Sequence, residues 1–276
     1  MIEKQYGIIG KTLSHSHSPT LHNFWFKENN IKANYSLIEI ERNQLGNIIN
    51  KIRTKKLHGI NVTVPYKQEI IPYLDLIIND AKATSSVNTV YLNNENKVVG
   101  ENTDVYGFEQ SFINKLNVKD LIAKNYFILG AGGVSPSLIY ALQKKNIKKI
   151  FISNRTIQKA ENIKKTFPSV KIIAWEKIIS ESEKMDVIIN ATSLGMKNNS
   201  DFENLIKKFK TDLIYYDVIY NPLETSMLKN FKEKKIKTYN GLEMFLFQGQ
   251  KSFSIWNNIN PRINEELKKK IISSLK

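Results

Sequence analysis

One short stretch, NVTVPYK at residues 61–67, places a lysine directly after a strand-like apolar run. Val62 and Val64 alternate with polar residues, and Pro65 interrupts the strand pattern two residues before Lys67. A lysine at such a turn can donate a proton to an oxygen on which negative charge develops, and can accept it back in the reverse reaction. Because most of the 41 basic residues are lysines, a solvated surface charge is the competing interpretation.

Three other polar clusters fall at predicted turns or strand ends of the first half, namely SHSHSPTLHN (14–23), SVNT (86–89) and ENTD (101–104). With the lysine stretch they supply an ammonium, carboxylate oxygens and many neutral donors, which suits a small polyhydroxylated acid better than an apolar or phosphorylated ligand. Each cluster also has a structural interpretation, as a helix start, a strand cap or a turn. The histidines at 14–23 lack a nearby carboxylate, so we expect hydrogen-bonded or exposed imidazoles and no metal site.

A glycine-rich loop, GAGGVS at 130–135, follows the apolar strand YFIL at 126–129 and precedes a helical pattern. Glycine at such a junction lets the backbone turn tightly and approach a pyrophosphate at the positive end of the helix. The motif alone is weak, because glycines also end strands for structural reasons and Ser135 replaces the third glycine of the fingerprint. The loop residues expected to contact a dinucleotide are Gly130, Ala131, Gly132, Gly133 and Val134.

The end of the next strand, KIFISN at 149–154, indicates which dinucleotide binds. An NAD enzyme usually carries Asp or Glu there for the ribose 2′-hydroxyl. This chain instead has Asn154, Arg155 and Thr156, with Lys159 one turn later. A guanidinium with a hydroxyl and an ammonium nearby attracts a 2′-phosphate. A surface arginine that merely follows a strand is the alternative. Since the chain has few arginines, a general excess of arginine does not explain Arg155, and we predict NADP rather than NAD.

Strands rich in Ile and Val alternate with helix-length segments, most regularly in the second half of the chain. This pattern predicts βαβ units and a parallel sheet covered on both faces. The predicted strands of that half are 126–129, 149–154, 170–175, 185–190 and 213–219. Two of them run into NATSLGM and YDVIYNP, at the carboxyl edge where ligands bind in open α/β sheets. The first half is similar but less regular.

The composition of the chain limits the classes of protein to which it can belong. Its 276 residues, 41% hydrophobic and 24% charged, suit a globular protein of two domains of about 100–150 residues. No run of about 18 apolar residues predicts a membrane span, and the first residues lack the apolar core of a secretion signal. The absence of cysteine excludes thiolate chemistry and favours a cytoplasmic protein. A net charge of +15 is compatible with nucleic-acid binding, but the lysines are scattered along the chain, which favours a solvated basic surface.

The motifs follow one order along almost the whole chain, HS-x-SP-xx-HN (15–23), NVT-x-P-x-K (61–67), VNT (87–89), NTD-x-x-GF (102–108), GAGG (130–133), NRT-xx-KA (154–160), NATSLGM (190–196), YDVIYNP (216–222) and GLEMFLFQ (241–248). This set resembles the shikimate dehydrogenase family of NADP-dependent oxidoreductases, which interconvert 3-dehydroshikimate and shikimate in chorismate and aromatic amino acid biosynthesis. The resemblance implies two α/β domains. A substrate-binding and catalytic domain is expected at 1–104, with C-terminal helices at 242–276 packing back on it, and a Rossmann-like, doubly wound NADP-binding domain at 105–241.

The resemblance also implies a role for each matching residue. Lys67 and Asp104 would form the catalytic acid–base pair, and Ser16 and Ser18 would hold the substrate carboxylate. The residues that would hold or orient the ring hydroxyls are Asn61, Thr63, Asn88, Asp104, Tyr220 and Gln248. Beyond the loop and strand-end residues given above, the expected cofactor contacts are Thr192, Ser193, Gly195, Met196, Val218 and Gly241. Hinge closure between the domains is expected.

A few positions depart from the family pattern and keep alternatives open. Thr12 stands where proline is usual, His17 replaces an apolar residue between the two serines, and Ser135-Pro136 is an unusual start to the cofactor helix. An enzyme that prefers quinate or another ring acid is therefore one alternative. A cofactor-sensing or nucleic-acid-binding protein without activity is the other. The expected state of assembly is a monomer or a homodimer.

Overall fold

The computed structural model describes residues 3–116, 121–196, 209–210 and 212–275. The chain divides into two compact units, Met1–Gly107 with Leu246–Leu275 and Phe108–Phe245. In the described part, no helix combines the length and the apolar character needed to cross a membrane.

The helices differ widely in length, from a single turn to more than four turns. In chain order they are α1 (Ser18–Glu28), α2 (Leu45–Arg53), α3 (Tyr66–Glu69), α4 (Asn79–Thr84), α5 (Asp104–Ser111), α6 (Ser135–Lys144), α7 (Ile157–Thr166), α8 (Ile178–Ser182), α9 (Ser226–Glu233), α10 (Leu242–Asn257) and α11 (Glu265–Ser274). The boundaries between the units fall inside α5 and α10, a few residues beyond the limits expected from the sequence. Each of these helices continues across a boundary between the units. The sequence pattern therefore marks where the helix starts and not where one unit ends.

The first unit contains a mixed sheet with the strand order β2-β1-β3-β5-β6-β4. Its strands are β1 (Lys4–Gly10), β2 (Ala33–Glu39), β3 (Gly59–Val62), β4 (Leu76–Ile77), β5 (Thr89–Leu92) and β6 (Val98–Glu101). β5 runs antiparallel to both β3 and β6, and the short turn after β5 returns the chain directly beside it as β6. The register sets Asn61 opposite Thr89, and Thr89 opposite Glu101. The pairing therefore aligns three of the polar stretches that the sequence separates.

Two different layers cover this sheet. On α2, Leu45, Ile48, Ile49 and Ile52 follow a helical spacing and are buried in an aliphatic core. Burial of each such side chain stabilises the fold by about 1.5–3 kcal/mol. A second layer is aromatic and brings α1 and α10 against β1 and β2; its rings belong to Tyr6, His22, Trp25, Phe26, Tyr35, Phe253 and Trp256. The last part of the chain thus belongs to the first unit.

The second unit contains a parallel sheet with the strand order β12-β11-β10-β7-β8-β9. Its strands are β7 (Tyr126–Leu129), β8 (Ile150–Ser153), β9 (Lys171–Ile172), β10 (Val187–Asn190), β11 (Ile214–Asp217) and β12 (Lys237–Tyr239). The parallel, doubly wound arrangement predicted from the Ile- and Val-rich runs is confirmed. The predicted strand at 170–175 is shorter than expected, because a 3₁₀ turn begins at Trp175. β12 lies at the sheet edge and is too short and too exposed to show an apolar pattern.

Candidate active site

The Lys67 ammonium lies against the Asp104 carboxylate. Lys67 stands on α3, which begins directly after Pro65. Its Nζ is 2.5 Å from Oδ2 of Asp104, and the two side chains are only 11% and 8% exposed. This shielded position excludes the interpretation of Lys67 as a solvated surface charge. Opposite charges 4 Å apart attract by about 4 kcal/mol at an effective dielectric constant near 20, so the carboxylate holds the ammonium in a defined direction.

Asp104 is held in turn by the polar stretches on either side of it. It is the first residue of α5, where the helix dipole favours a carboxylate. Asn88 Nδ2 donates to its Oδ1 at 2.9 Å, and its backbone N–H donates to Asn102 Oδ1 at 3.0 Å. The backbone N–H of Val87 donates to the carbonyl oxygen of Lys67 at 2.8 Å. Both members of the ion pair are therefore fastened to the stretch that carries Asn88.

A buried network of amides and hydroxyls lies behind the ion pair. Asn88 Oδ1 accepts hydrogen bonds from the Thr103 backbone N–H at 2.8 Å, from Thr103 Oγ1 at 3.1 Å and from Thr89 Oγ1 at 3.0 Å. Asn61 Nδ2 donates to the Asn88 carbonyl oxygen at 3.0 Å, and Asn61 Oδ1 accepts from the Tyr35 hydroxyl at 2.7 Å. Both ends of the Asn61 amide are thus bonded to protein groups, which makes Asn61 a support for Asn88.

The Ser-rich turn presents two hydroxyls at the start of α1. Ser16 Oγ donates to Ser18 Oγ at 3.3 Å and accepts from the Ser18 backbone N–H at 3.4 Å. Pro19 is tolerated in the first turn of α1, where a backbone N–H would have no helical partner. His17 lies between the serines, and its Nδ1 is 2.9 Å from Ser274 Oγ on α11. The unusual histidine therefore links this turn to the last helix.

Thr63 and Gln248 are the remaining predicted substrate contacts in the first unit. Thr63 is half-buried after β3, and its backbone N–H donates to the Ile9 carbonyl oxygen at 3.0 Å. Gln248 lies on α10, and its carbonyl oxygen accepts from Ser252 Oγ at 3.1 Å. Ser252, which also joins the buried network, belongs to none of the sequence motifs. The sequence feature that could mark it is a small hydroxyl residue one turn after Gln248 on a largely apolar helix.

The glycine loop of the second unit adopts the tight turn that the sequence predicts. Gly130 has φ of +103°, and a Cβ there would lie 2.9 Å from the Ala191 carbonyl oxygen, so glycine is required. Ser135 Oγ donates to the Gly130 carbonyl oxygen at 2.8 Å and closes the loop at the start of α6. Asn154 Oδ1 accepts from the Ala131 backbone N–H at 2.9 Å. The loop is therefore fixed to the end of β8 before any ligand binds.

The residues predicted to bind the 2′-phosphate follow directly after the end of β8. Asn154 Nδ2 donates to the Thr156 carbonyl oxygen at 2.8 Å, which fixes the turn that carries Arg155. Arg155 and Lys159 are exposed, and neither forms a salt bridge within the residues that the structure describes. The two cations are thus available to an external anion.

Asp217 is a buried carboxylate at the end of β11. Its Oδ1 accepts from the Ile219 backbone N–H at 3.0 Å and from Asn190 Nδ2 at 3.2 Å. Its Oδ2 accepts from the Tyr215 hydroxyl at 3.1 Å and from Thr225 Oγ1 at 2.9 Å. Burial raises the pKa of Asp217 to about 6, against the effect of these four hydrogen bonds. The sequence marks Asp217 only as a strand end and does not reveal this environment.

The loop after β10 depends on the same buried group. Asn190 Oδ1 accepts from the Thr192 backbone N–H at 3.1 Å and from Thr192 Oγ1 at 2.6 Å, and Asn190 Nδ2 donates to the Leu194 carbonyl oxygen at 3.0 Å. Gly195 has φ of +101° and packs against Thr225, where any larger residue would be strained. The same loop carries the predicted contacts Ser193 and Met196.

Three further predicted residues lie after β11 and β12. A Cβ on Gly241 would overlap the carbonyl oxygen of Val218, and the Gly241 backbone N–H donates to the Ile219 carbonyl oxygen at 2.9 Å. Tyr220 belongs to the second unit, where its ring stacks on Phe245 with 4.3 Å between the centroids. No group of three His, Asp or Glu residues with metal-binding geometry occurs in the described ranges.

Comparison with known proteins identifies the family. A family model for the shikimate dehydrogenase substrate binding domain matches residues 8–90, and one for shikimate/quinate 5-dehydrogenase matches residues 113–236. Shikimate dehydrogenase (NADP(+)) of Pelagibacter ubique is 44% identical over 266 residues, which cover 96% of this chain and 97% of that protein. The chain belongs to the shikimate dehydrogenase family. The resemblance inferred from the motifs is thereby confirmed.

Other members of the shikimate dehydrogenase family show the same extent of similarity. The Bacillus subtilis shikimate dehydrogenase (NADP(+)) is 34% identical over 278 residues, with 99% of this chain and 98% of that protein covered. The crystal structure of the Aquifex aeolicus shikimate dehydrogenase has a TM-score of 0.86 at 36% identity and covers 99% of both chains. A shikimate dehydrogenase crystallised with NADP+ has a TM-score of 0.85 at 34% identity, over 99% of this chain and 96% of that one. The two-domain α/β fold predicted from the sequence is thereby confirmed.

Proposed function

We propose that the protein is an NADP-dependent shikimate dehydrogenase, which reversibly reduces 3-dehydroshikimate to shikimate on the route to chorismate and the aromatic amino acids. The observation that carries the proposal is the shielded contact between Lys67 and Asp104, in a chain that matches this family over nearly its whole length. A sensor or a nucleic-acid-binding protein without activity has no need of an ion pair in this position.

Lys67 transfers the proton. Negative charge develops on the carbonyl oxygen of the ketone as hydride adds to its carbon, and an ammonium at that oxygen stabilises the charge and then donates a proton to it. In the reverse direction the neutral amine accepts the hydroxyl proton of shikimate. Asp104 keeps the amine aimed through its 2.5 Å contact. Groups of this kind contribute about 10²–10⁴ in rate, or roughly 3–5 kcal/mol of the barrier.

Neutral side chains hold the rest of the substrate. Ser16 and Ser18 bind the ring carboxylate, because their hydroxyls lie at the positive end of α1. The ring hydroxyls are bound by Thr63, Asn88, Asp104, Tyr220 and Gln248. Asn61 acts from behind, since its amide already bonds Tyr35 and the Asn88 backbone.

The second unit fits NADP(H), which supplies or accepts the hydride when it is bound. Gly130 and the rest of the loop at 130–134 leave the start of α6 open to a pyrophosphate. The exposed cations of Arg155 and Lys159 suit the 2′-phosphate, with Asn154 and Thr156 beside them. The other contacts proposed for the cofactor are Thr192, Ser193, Gly195, Met196, Val218 and Gly241.

The direct test is an absorbance assay at 340 nm with purified protein, shikimate and NADP+. We expect faster turnover with shikimate than with quinate, and with NADP+ than with NAD+. A preference for quinate would favour the related ring-acid enzyme. Absence of turnover together with salt-sensitive DNA binding would favour the protein without activity. Cytoplasmic localisation and a monomeric or dimeric state remain predictions of the sequence, to be tested by fractionation and light scattering.

A further inference from the structure

Ser252 connects α10 to the buried network behind the ion pair. Its side chain is fully buried, one turn after Gln248. Ser252 Oγ accepts a hydrogen bond from Asn61 Nδ2 at 3.0 Å, and it lies 2.8 Å from Thr89 Oγ1 and 3.1 Å from Thr103 Oγ1. One hydroxyl on α10 thus meets side chains from β3, from β5 and from the residue before Asp104.

The directions of these hydrogen bonds follow from the carboxylate. Because ionised Asp104 only accepts, the Asn88 amide must present its NH₂ group to Asp104 and its oxygen to the two threonine hydroxyls. Thr89 and Thr103 therefore donate to Asn88 and turn their lone pairs toward Ser252. The single Ser252 hydroxyl proton can go to one of them, with Thr89 Oγ1 at 2.8 Å, instead of to the Gln248 carbonyl oxygen at 3.1 Å, while the oxygen accepts from the neighbouring amide.

We infer that Ser252 is a positioning residue for the Lys67–Asp104 pair, an inference that rests on the proposed function. By donating to one of the two threonine hydroxyls, the serine holds that hydroxyl in the orientation in which it donates to Asn88. Asn88 then keeps one carboxylate oxygen of Asp104 occupied, so that the other oxygen faces the ammonium. Ser252 touches neither substrate nor cofactor in this scheme.

Removal of the hydroxyl should loosen this chain of contacts. In Ser252→Ala, the Asn61 amide keeps the Asn88 carbonyl oxygen and Thr89 Oγ1 as acceptors, whereas one buried threonine hydroxyl loses the donor that orients it. That hydroxyl can then rotate away from Asn88, which frees its amide to turn and lets Asp104 shift. A small displacement of a proton-transfer group is enough to slow the chemical step, by up to about 10²-fold for 1 Å.

The test compares Ser252→Ala with Ser254→Ala, a half-buried serine two residues further along the same helix. We expect the single-turnover rate of NADPH oxidation by 3-dehydroshikimate, measured by stopped flow, to fall about tenfold in Ser252→Ala. The rate of Ser254→Ala should equal that of the wild type. The Kd for NADPH should be the same in all three proteins. Equal single-turnover rates in both variants would overturn the inference and reduce Ser252 to a packing residue, even if Ser252→Ala melted at a lower temperature.

Two further variants keep the test decisive if Ser252→Ala folds poorly. Ser252→Thr retains the hydroxyl and should recover most of the wild-type rate. Thr103→Val removes the partner hydroxyl at nearly constant volume. Combined with Ser252→Ala, it should slow the reaction by less than the product of the two single effects, because both act through Asn88. A fully multiplicative loss would contradict the inference. A wild-type protein without shikimate turnover would instead contradict the proposed function.

Discussion

The two units organise buried polar groups in opposite ways. In the first unit, the charges form a contact pair, Lys67 with Asp104, and neutral amides and hydroxyls support it from behind. In the second unit, the Asp217 carboxylate is fully buried, and its four hydrogen-bond donors are neutral. The first arrangement shields an ammonium and holds it in one direction, as the proposed proton transfer requires. The second uses a carboxylate to hold loops at the edge of the cofactor sheet.

Burial shifts the pKa of His22 in the first unit and of Asp217 in the second, and the two shifts have opposite consequences for stability. Burial among the aromatic rings of the first unit lowers the pKa of His22 to about 3, and the interaction with the Asn61 side chain offsets only part of this shift. Burial raises the pKa of Asp217 to about 6. Acid therefore opposes folding through the histidine and favours it through the aspartate.

The largest expected effect comes from loss of the proton-transfer group. Lys67→Ala should lower kcat for shikimate oxidation by about 10²–10⁴, because no other ammonium takes its place at the reacting oxygen. The Kd for NADP+ should remain unchanged. The exposed Lys56→Ala serves as the control for loss of one positive charge. A wild-type kcat in the Lys67 variant would mean that the ion pair of the first unit does not serve proton transfer.

The second effect concerns the free cations of the second unit. Arg155→Ala should weaken NADPH binding by about 10- to 100-fold, the loss expected for a charge-assisted hydrogen bond of about 1.5–3 kcal/mol. NADH has no 2′-phosphate, so its Kd should hardly change. The Kd values of both cofactors can be measured by fluorescence titration, with Lys164→Ala on α7 as the control. Equal losses for NADPH and NADH would place the 2′-phosphate elsewhere.

The third effect is an acid sensitivity of the first unit. The pKa of His22 is about 3 in the folded state and 6.5 for an ordinary, solvated histidine, so the unfolded chain binds more protons between these pH values. The stability that depends on neutral His22 is fully present above pH 6.5 and is lost progressively as the pH is lowered. The loss at pH 5 is about 2 kcal/mol. In urea unfolding at pH 7.5 and pH 5, His22→Phe should lack this loss, whereas the exposed His15→Asn should retain it.

The smallest effect has the opposite sign and belongs to Asp217. Its folded pKa of about 6 lies above the value of 3.8 for an ordinary, solvated aspartate, so the folded state binds more protons between these pH values. This group therefore adds about 1 kcal/mol of stability when the pH falls from 7.5 to 5. Asp217→Asn should abolish that gain in the same urea experiment. An unchanged pH dependence in the variant would mean that Asp217 is not the group that titrates.

Local patterns explain how much of the second unit could be predicted. The strands β7, β8, β10 and β11 are continuous apolar runs, because parallel strands are buried on both faces. The turn at Gly130 and the basic residues after β8 are also local features. The edge strands, β4 of the first unit and β12 of the second, were not predictable in this way, since two or three residues carry too little periodicity.

The sequence by itself determined the fold class, the glycine turn and the position of Lys67 after a strand, because each depends on residues that are near neighbours in the chain. Only the tertiary structure decided that Lys67 meets Asp104, 37 residues away, because that contact depends on how the strands pair. It also decided that Asn61 turns inward, that Ser252 joins the network and that Asp217 is buried. Those outcomes depend on register and burial, which arise when distant segments pack together.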